Sequence, residues 1–180
     1  MATKEKFTTQ MCEYLHVTPK YLATRINWQA EGSTVKFRAK VITIENGIGL
    51  DLHGYFLYSP RYKRMTWGFN LSCRKNLVRQ YDLAKRHWNQ PGDEVKGPHK
   101  HKYCSSLLPR YAYKPDPPIT ESDANFALLD FLKEENISIP VDYQHYMFPA
   151  TMSIGEQGRL DLGEMPQTGR TAPHFPEIPE

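Results

Sequence analysis

Cysteine is scarce in this 180-residue chain, and the three present, Cys12, Cys73 and Cys104, form no C-x-x-C pair. Scattered cysteines argue against a disulfide framework and suit a reducing compartment. Long apolar runs are also missing: the longest, such as residues 126–132, are far shorter than the roughly 20 apolar residues of a membrane span. Residues 1–7 are too polar for a signal peptide. We therefore expect a cytoplasmic protein with no membrane partner.

The chain contains no internal repeat, and its composition does not predict disorder. Apolar residues make up 39% of the chain and charged residues 24%, which suffices for one folded core. Residues 150–180 are poor in large apolar side chains and rich in Gly, Pro, Thr, Gln and Glu. We expect a single domain over residues 1–149, followed by an acidic tail over residues 150–180.

Charge is divided unevenly along the chain. Residues 1–115 hold 20 of the 23 Lys and Arg but 8 of the 20 Asp and Glu, a net charge of +12, and residues 116–180 carry −9. A basic body gains affinity for a polyanion from phosphate contacts and counterion release, whereas the acidic segment can repel nucleic acid, cover the basic face or confer solubility. A solvated surface without a ligand is the alternative.

Hydrophobic periodicity predicts an α+β fold. Residues 34–45 alternate apolar with basic side chains, which is typical of a half-buried strand with a basic solvent face. Asn46-Gly47 predicts a type I′ hairpin turn, with a returning strand over residues 48–58. Further strands are predicted over residues 63–73, 77–82 and 99–104, with residues 83–98 irregular apart from a turn at residues 89–92.

Helices are predicted at both ends of this region. Residues 9–16 place apolar side chains at helical spacing, and Thr18-Pro19 offers an N-cap followed by proline, so two short N-terminal helices are expected. Residues 120–136 have the apolar stripe of a helix that packs on a sheet. The predicted architecture is an antiparallel β meander of about five strands packed against a C-terminal helix.

Three of the seven histidines, His87, His99 and His101, fall within fifteen residues of one another. If residues 99–103 are extended, then His99, His101 and Tyr103 project to one face, with Lys100 and Lys102 on the other. Grouped titratable side chains indicate function better than isolated ones. The remaining histidines, His16, His53, His145 and His174, are interpreted as ordinary structural residues.

Such a cluster suits ribonuclease chemistry without a metal or other cofactor. His99 and His101 would serve as the acid–base pair, because imidazole gives and takes protons near neutrality. His87 and Tyr103 would orient the substrate in this hypothesis. A cationic set would bind nucleic acid and stabilise the crowded phosphate, comprising Arg61, Lys63, Arg64, Arg79, Lys85, Arg86, Lys100 and Lys102.

Other interpretations of the cluster remain open. His87, His99 and His101, with Asp82, are also donors suited to Zn²⁺ or another transition metal, although the spacing matches no closed structural zinc pattern. They are equally compatible with ordinary hydrogen-bonded histidines beside a basic surface. Aromatic side chains could in addition form a base-stacking platform or simply pack in a core, namely Tyr55, Phe56, Tyr58, Tyr62, Trp67 and Phe69.

The string YD-x(4)-H-x-N-x-P-G-x(4)-G-P-H-K-H-K-Y, followed by Tyr111-Ala112-Tyr113 and DANFALLDFLKEENI, resembles a family of small uncharacterised bacterial and phage proteins. That family is in turn distantly similar to the TumE-type toxins of toxin–antitoxin pairs. The resemblance extends over residues 67–139. It implies a shared site of matching residues, which are Asp82, His87, Asn89, Pro91, Gly92, Gly97, His99, His101 and Tyr103.

These observations lead to two functional hypotheses from different classes. The first is a toxin-like or phage-defence protein that binds nucleic acid, RNA more than DNA, and acts as a metal-independent ribonuclease, with an antitoxin as a protein partner. The second is a non-enzymatic interaction protein, such as an anti-CRISPR-like phage inhibitor of a host nuclease complex, whose acidic tail mimics phosphate. A nucleic-acid-binding module without chemistry is a third reading.

Overall fold

A computed structural model describes residues 7–59, 61, 64–104, 108–119, 124–146, 152–154 and 160–162. The chain is mostly β, with two α-helices and one 3₁₀ helix in the described part. In chain order the elements are α1 (Thr9–Val17), β1 (Lys20–Leu22), β2 (Gln29–Glu31), β3 (Thr34–Thr43), β4 (Gly49–Ser59), β5 (Arg64–Cys73), β6 (Asn76–Gln90), β7 (Asp93–Cys104), β8 (Leu108–Tyr113), α2 (Ala124–Glu134), β9 (Ile137–Ser138), a 3₁₀ helix (Val141–Tyr146), β10 (Met152–Ile154) and β11 (Leu160–Leu162).

The strands form one large sheet, and the predicted architecture is therefore wrong. Nine strands form this sheet. Eight follow the order β8-β7-β6-β5-β4-β3-β1-β9, and the ninth, β2, pairs with the N-terminal end of β3. Strands β3 to β8 are antiparallel neighbours, but β1 pairs in parallel with β9. The result is a mixed sheet rather than a five-strand antiparallel meander on a C-terminal helix. Long-range pairing of three- and two-residue strands leaves no periodic signal in the sequence.

One face of the sheet, here called the inner face, carries the hydrophobic core. Strand β3 alternates buried and exposed side chains as expected, and its buried residues join those of β4, β5 and β6. Phe69 packs against Phe131 of α2, with ring centroids 6.4 Å apart. The apolar stripe of α2 is buried as predicted, at Ala127, Leu128, Phe131 and Leu132. Residues 120–123, where this helix was predicted to begin, lie outside the described residues.

The described part of the N-terminal region, from residue 7 onwards, contains one helix and not two. Thr8 caps α1 by accepting a hydrogen bond from the backbone amide of Met11 at 3.2 Å. After Thr18-Pro19 the chain continues into strand β1 and not into a second helix. Lys20, the first residue of β1, pairs with both β3 and β9. The Lys20 side chain is fully buried and turns back to the end of α1, where its ammonium group donates to backbone carbonyls of Leu15, His16 and Thr18.

The turn chemistry differs from the prediction. A five-residue connection, residues 44–48, joins β3 to β4, and only Gly47 in it has a positive φ, of 67°. A two-residue turn in which both residues have a positive φ occurs instead between β5 and β6. Its residues are Arg74, with a φ of 48°, and Lys75, with a φ of 69°. The strand register therefore imposes the left-handed conformation on residues that do not favour it.

Residues 83–98, predicted to be irregular, are strand. Strand β6 runs for 15 residues to Gln90, turns at Pro91-Gly92, and pairs with β7. Bulges interrupt this ladder near Lys85 and Asn89, and Gly97 has a φ of 74°. Bulges and polar residues mask the period of two in the sequence, which is why the strand was missed.

Part of the predicted tail also contains strand, because β10 and β11 form a two-stranded antiparallel sheet. The sequence prediction of a boundary near residue 150 stays a prediction. In the part of the chain that the structure describes, no helix combines the length and apolar character that crossing a membrane requires.

Candidate functional site

The three clustered histidines and Asp82 meet on the face of the sheet opposite the helices, here called the outer face. His99 on β7 lies directly opposite Asp82 on β6, and His101 lies opposite Gln80. Residues two apart on a strand share a face, so His99 and His101 project together as predicted. Lys100, between them, projects to the inner face, where its ammonium lies 5.2 Å from the centre of the Tyr81 ring.

His87 joins them because the distal half of the β6–β7 hairpin folds over the outer face towards β8. Asn89 is buried and exchanges two hydrogen bonds with the backbone of Ala112 on β8, at 2.7 and 2.9 Å. His87 hydrogen-bonds the backbone of Arg110 on the same strand. The hairpin thereby carries His87 across β7 and places it above His99 and His101.

The four side chains form a compact group, here called the His/Asp cluster (Asp82, His87, His99 and His101). Each of the three histidines has one ring nitrogen, Nδ1 or Nε2, that lies within 4.8 Å of such a nitrogen in the other two. Nε2 of His99 is 3.4 Å from Oδ1 of Asp82, and Nε2 of His101 is 3.6 Å from Oδ2. The amide of Gln80 donates a hydrogen bond to Oδ2 of Asp82.

Three members of the His/Asp cluster are buried, and His87 is half-buried. His99 is 1% exposed, His101 4% and Asp82 7%. The ring of Tyr55 lies over Gly68, the neighbour of Asp82, such that a Cβ at Gly68 would meet it at 2.7 Å. Burial, together with the neighbouring His101 and His99, lowers the pKa of His87 below its usual value. The hydrogen bond to Arg110 opposes this shift only in part.

Tyr103, predicted to orient a substrate, does not join the His/Asp cluster. Its ring packs edge-on against Phe7, with centroids 6.2 Å apart, beside the hydrophobic core. A bulge between Lys102 and Cys104 in the pairing of β7 with β8 interrupts the alternation that would have kept Tyr103 in line with His101.

Two of the predicted nucleic-acid contacts, Arg79 and Lys100, are buried in ion pairs under the helices. Arg79 is bonded to Glu13 of α1 at 3.2 Å and lies 3.7 Å from Glu135. Lys100 pairs with Asp130, at 2.8 Å, and with Glu134 of α2. Burial opposes the charge on Lys100, but these hydrogen bonds raise its pKa overall. Neither cation can contact a phosphate in this arrangement.

The remaining predicted cations are divided between exposed and undescribed positions. Lys102 is exposed, with its ammonium 5.5 Å from the centre of the Tyr111 ring. Arg86 is exposed on the β6–β7 hairpin, 3.6 Å from Glu94, and Arg61 is exposed between β4 and β5. Lys63 and the side chains of Arg64 and Lys85 lie outside the described residues.

The outer face carries a second feature, a polar groove that runs across β3, β4, β5 and β6. Two adjoining depressions share His53, Ser72 and Lys75, and together they form what we call the outer groove. Its charged and polar lining consists of Thr24, Arg38, Lys40, Asp51, His53, Asn70, Ser72, Lys75, Gln80 and Arg110. The groove ends beside the His/Asp cluster, since Gln80 lines the groove and bonds Asp82.

The outer groove is basic. Four of its lining residues are Lys or Arg, and Asp51, which pairs with Lys40, is the one acidic residue lining it among those described. Burial, and then the nearby Arg38, lowers the pKa of His53 below its usual value. His53 was interpreted from the sequence as an ordinary structural residue. The basic solvent face predicted for residues 34–45 pointed to two lining residues, Arg38 and Lys40.

Among the described residues, the aromatic side chains singled out from the sequence do not form a broad stacking platform. Phe56, Trp67 and Phe69 are buried in the core on the inner face. Tyr55 is half-buried on the outer face, and burial and the nearby Asp82 raise its pKa. Tyr62 lies outside the described residues. Charge and hydrogen-bonding groups, rather than exposed rings, therefore dominate the outer groove.

Comparison of the chain with protein-family models, with curated proteins and with solved structures found no match in any of the three. The resemblance to small bacterial and phage proteins and to TumE-type toxins therefore stays a prediction.

Proposed function

We propose that the protein binds nucleic acid, with the sugar–phosphate backbone lying in the outer groove. The observation that carries this proposal is the concentration of cations around one groove on the sheet face opposite the described helices α1 and α2. Lys and Arg side chains that neutralise phosphates release counterions, which gives affinity without sequence preference. The +12 charge of residues 1–115 acts in the same direction at longer range.

RNA is the nucleic acid that we propose in the first instance. The floor of the outer groove offers neutral hydrogen-bonding side chains, Asn70, Ser72 and Gln80. Such groups suit the 2′-hydroxyl, which both donates and accepts and distinguishes RNA from DNA. The small number of exposed rings around the groove makes a backbone-reading mode more consistent with the site than base stacking.

The proposal contains no ribonuclease step. An acid–base pair must lie within hydrogen-bond reach of the reacting oxygens. His99 and His101 are almost completely buried beneath the folded-over hairpin, so a phosphodiester in the outer groove has no contact with them. A toxin-like or inhibitory protein of this kind would act by binding RNA and not by cleaving it.

Binding of fluorescein-labelled single-stranded RNA of about 16 nucleotides, followed by fluorescence anisotropy, tests the proposal. The double variant Arg38→Ala/Lys75→Ala removes two groove cations and is expected to weaken binding at least about tenfold. The slope of log affinity against log salt should become shallower by about 1.4, since each lost single-strand contact contributes about 0.7. Single-stranded DNA of the same sequence is expected to bind more weakly than RNA.

The matched control is Arg86→Ala/Lys96→Ala. It also removes one Arg and one Lys, but from exposed positions on the β6–β7 hairpin. This variant should keep wild-type affinity within about threefold, because only the long-range field changes. Equal losses in both double variants would show that overall charge, not the outer groove, binds RNA. Unchanged binding after loss of Arg38 and Lys75 would refute the proposal.

A further inference from the structure

The His/Asp cluster has a hydrogen-bonding problem that the proposed nucleic-acid function leaves unsolved. Among the described residues, four of its polar atoms are buried without a hydrogen-bond partner: Asp82 Oδ1, His87 Nε2, His99 Nε2 and His101 Nδ1. A buried polar group without a partner costs about 1–3 kcal/mol, so four of them within one small group would be a large penalty. Buried polar atoms of this kind usually bind an ordered water molecule or an ion.

The hydrogen bond of His99 fixes which of its nitrogens is available. Nδ1 lies 2.7 Å from the carbonyl oxygen of Gly97. A carbonyl only accepts, so Nδ1 carries the proton and, in the neutral ring, Nε2 presents its lone pair. That lone pair faces Oδ1 of Asp82 across 3.4 Å. Two acceptors therefore face each other, and a cation between them would turn the repulsion into attraction.

The separation identifies the kind of cation. A charge-assisted N–H···O bond is about 2.7–2.9 Å long, shorter than the 3.4 and 3.6 Å that separate Asp82 from His99 and His101. Two ligands of a tetrahedral ion with bonds of about 2.0–2.1 Å lie about 3.3–3.5 Å apart. The 3.4 Å between Nε2 of His99 and Oδ1 of Asp82 matches the second geometry. Imidazole nitrogens with one carboxylate favour Zn²⁺ and related transition metals over Mg²⁺ or Ca²⁺, which prefer oxygen.

We propose that His87, His99 and His101 bind one divalent transition-metal ion, with Zn²⁺ as the best-matched ion and with Asp82, 3.4 Å from His99, as the fourth ligand. Outer contacts already orient the ligands: Gly97 holds His99, the Arg110 backbone holds His87, and Gln80 holds Asp82. Partners of this kind set the orientation of metal-binding rings. With Asp82 in the fourth position the ion has no open coordination position, so its role is structural.

The ion would clip the folded-over part of the β6–β7 hairpin to the sheet. His87 belongs to that part, whereas Asp82 and the other two histidines belong to the flat part of β6 and β7. One ion therefore joins two regions that Asn89 otherwise links through its hydrogen bonds to Ala112. This inference is independent of RNA binding, because the outer groove is built from other side chains.

A second group of potential ligands, His16, Glu134 and Glu135, supplies the control. Its carboxylates are already occupied: Glu135 pairs with His16 at 3.0 Å, and Glu134 with Lys100 and Tyr113. A metal would have to displace these cations and donors. The variant His16→Gln removes a histidine as His87→Gln does, but it leaves the His/Asp cluster intact.

The test uses the full chain, stripped with EDTA and titrated with Zn²⁺ by calorimetry and with Co²⁺ by visible absorption. The wild type and His16→Gln should each bind one equivalent, whereas His87→Gln should bind at least about 100-fold more weakly. Zn²⁺ at a hundredfold excess over Kd should raise the Tm of the wild type by about 5–10 °C. Unimpaired Zn²⁺ binding by a folded His87→Gln protein would overturn the proposal.

The Co²⁺ spectrum of the wild type keeps the test decisive if His87→Gln does not fold. An intense visible band typical of four-coordinate Co²⁺ supports a site with histidine ligands in tetrahedral geometry. A weak six-coordinate spectrum, or no binding of either ion, refutes it. Loss of binding in His16→Gln but not in His87→Gln would assign the metal to the other group and would equally refute the proposal.

Discussion

At the residue scale, buried charges on the inner face link the helices to the sheet. Lys20 is 0% exposed, and burial lowers its pKa to about 8, with Glu135 opposing the shift. It therefore remains charged at neutral pH. Its ammonium group donates to three carbonyls at the end of α1, which a helix leaves without intrahelical partners. A cation at a helix C-terminus also interacts favourably with the helix dipole.

Replacing Lys20 with Met keeps the length of the side chain but removes the donors. Three carbonyls at the end of α1 would lose their partner, so we expect Lys20→Met to lower the free energy of unfolding by about 2–4 kcal/mol. Urea denaturation followed by circular dichroism measures the change. Lys36→Met, at an exposed position on β3, should stay within about 0.5 kcal/mol of the wild type. Equal stability of the two variants would contradict the capping role.

At the element scale, the folded-over β6–β7 hairpin is the feature on which the His/Asp cluster depends. Flat strands would leave His87 on its own part of the sheet, far from β8. Asn89 holds the hairpin in place, because it bonds the backbone of Ala112 and, at 3.0 Å, the carboxylate of Asp93. Both bonds to Ala112 are buried, which makes them costly to lose.

Asn89→Ala is therefore expected to release the hairpin without unfolding the sheet. Amide hydrogen exchange of residues 87–95 should accelerate at least about tenfold, since about 1.4 kcal/mol of local stability corresponds to that factor. Exchange in β3, β4 and β5 should not change. Gln90→Ala, at the exposed neighbouring position, is the control and should exchange like the wild type. Uniform acceleration throughout the sheet would show instead that Asn89 supports global stability.

Local patterns predicted some elements well and missed others for identifiable reasons. The alternation of residues 34–43 and the apolar stripe of residues 127–132 correctly indicated a half-buried strand and a buried helix face. Strands were predicted over residues 77–82 and 99–104, but the distal part of the β6–β7 hairpin was missed because bulges break its period. The grouping of His99 with His101 followed from strand spacing. The contribution of His87 depends on tertiary folding of the hairpin, which no spacing encodes.

The same distinction applies to the binding residues. Dense basic segments drew attention to Arg79 and Lys100, but tertiary ion pairs with the helices occupy both of them. The outer groove instead combines side chains from β3 to β6 and from β8 that lie far apart in the sequence. A charge count cannot predict which cations face outward, because this depends on which face of the sheet the described helices pack against.

At the scale of the whole molecule, the two faces of the sheet have different roles. The inner face carries the core and the buried ion pairs that hold α1 and α2. The outer face carries the basic groove and, at its end, the His/Asp cluster. His53 lies in the middle of the groove, with Arg38 opposite on β3 and Asn70 opposite on β5, and with Lys40 and Asp51 nearby.

RNA binding should strengthen as the pH falls. The pKa of His53 is held below 6.5 in the free protein by burial and by Arg38, so the ring is neutral at pH 7.5. A bound phosphate stabilises the protonated ring and raises that pKa, so binding takes up a proton. Affinity therefore increases as the pH falls through the pKa of the bound ring and levels off below the pKa of the free ring. Anisotropy titrations between pH 5.5 and 8, as approximate limits, would measure this. His53→Gln should flatten the profile; a persistent slope would assign the proton to another group.

Amide chemical-shift mapping of the ¹⁵N-labelled chain with single-stranded RNA tests the central claim most directly, because it locates the bound surface without a mutation. The account predicts shifts concentrated at groove positions such as Arg38, His53, Ser72 and Lys75, with little change in α1 and α2. Shifts confined to the tip of the β6–β7 hairpin, or no shifts at RNA concentrations well above that of the protein, would contradict it.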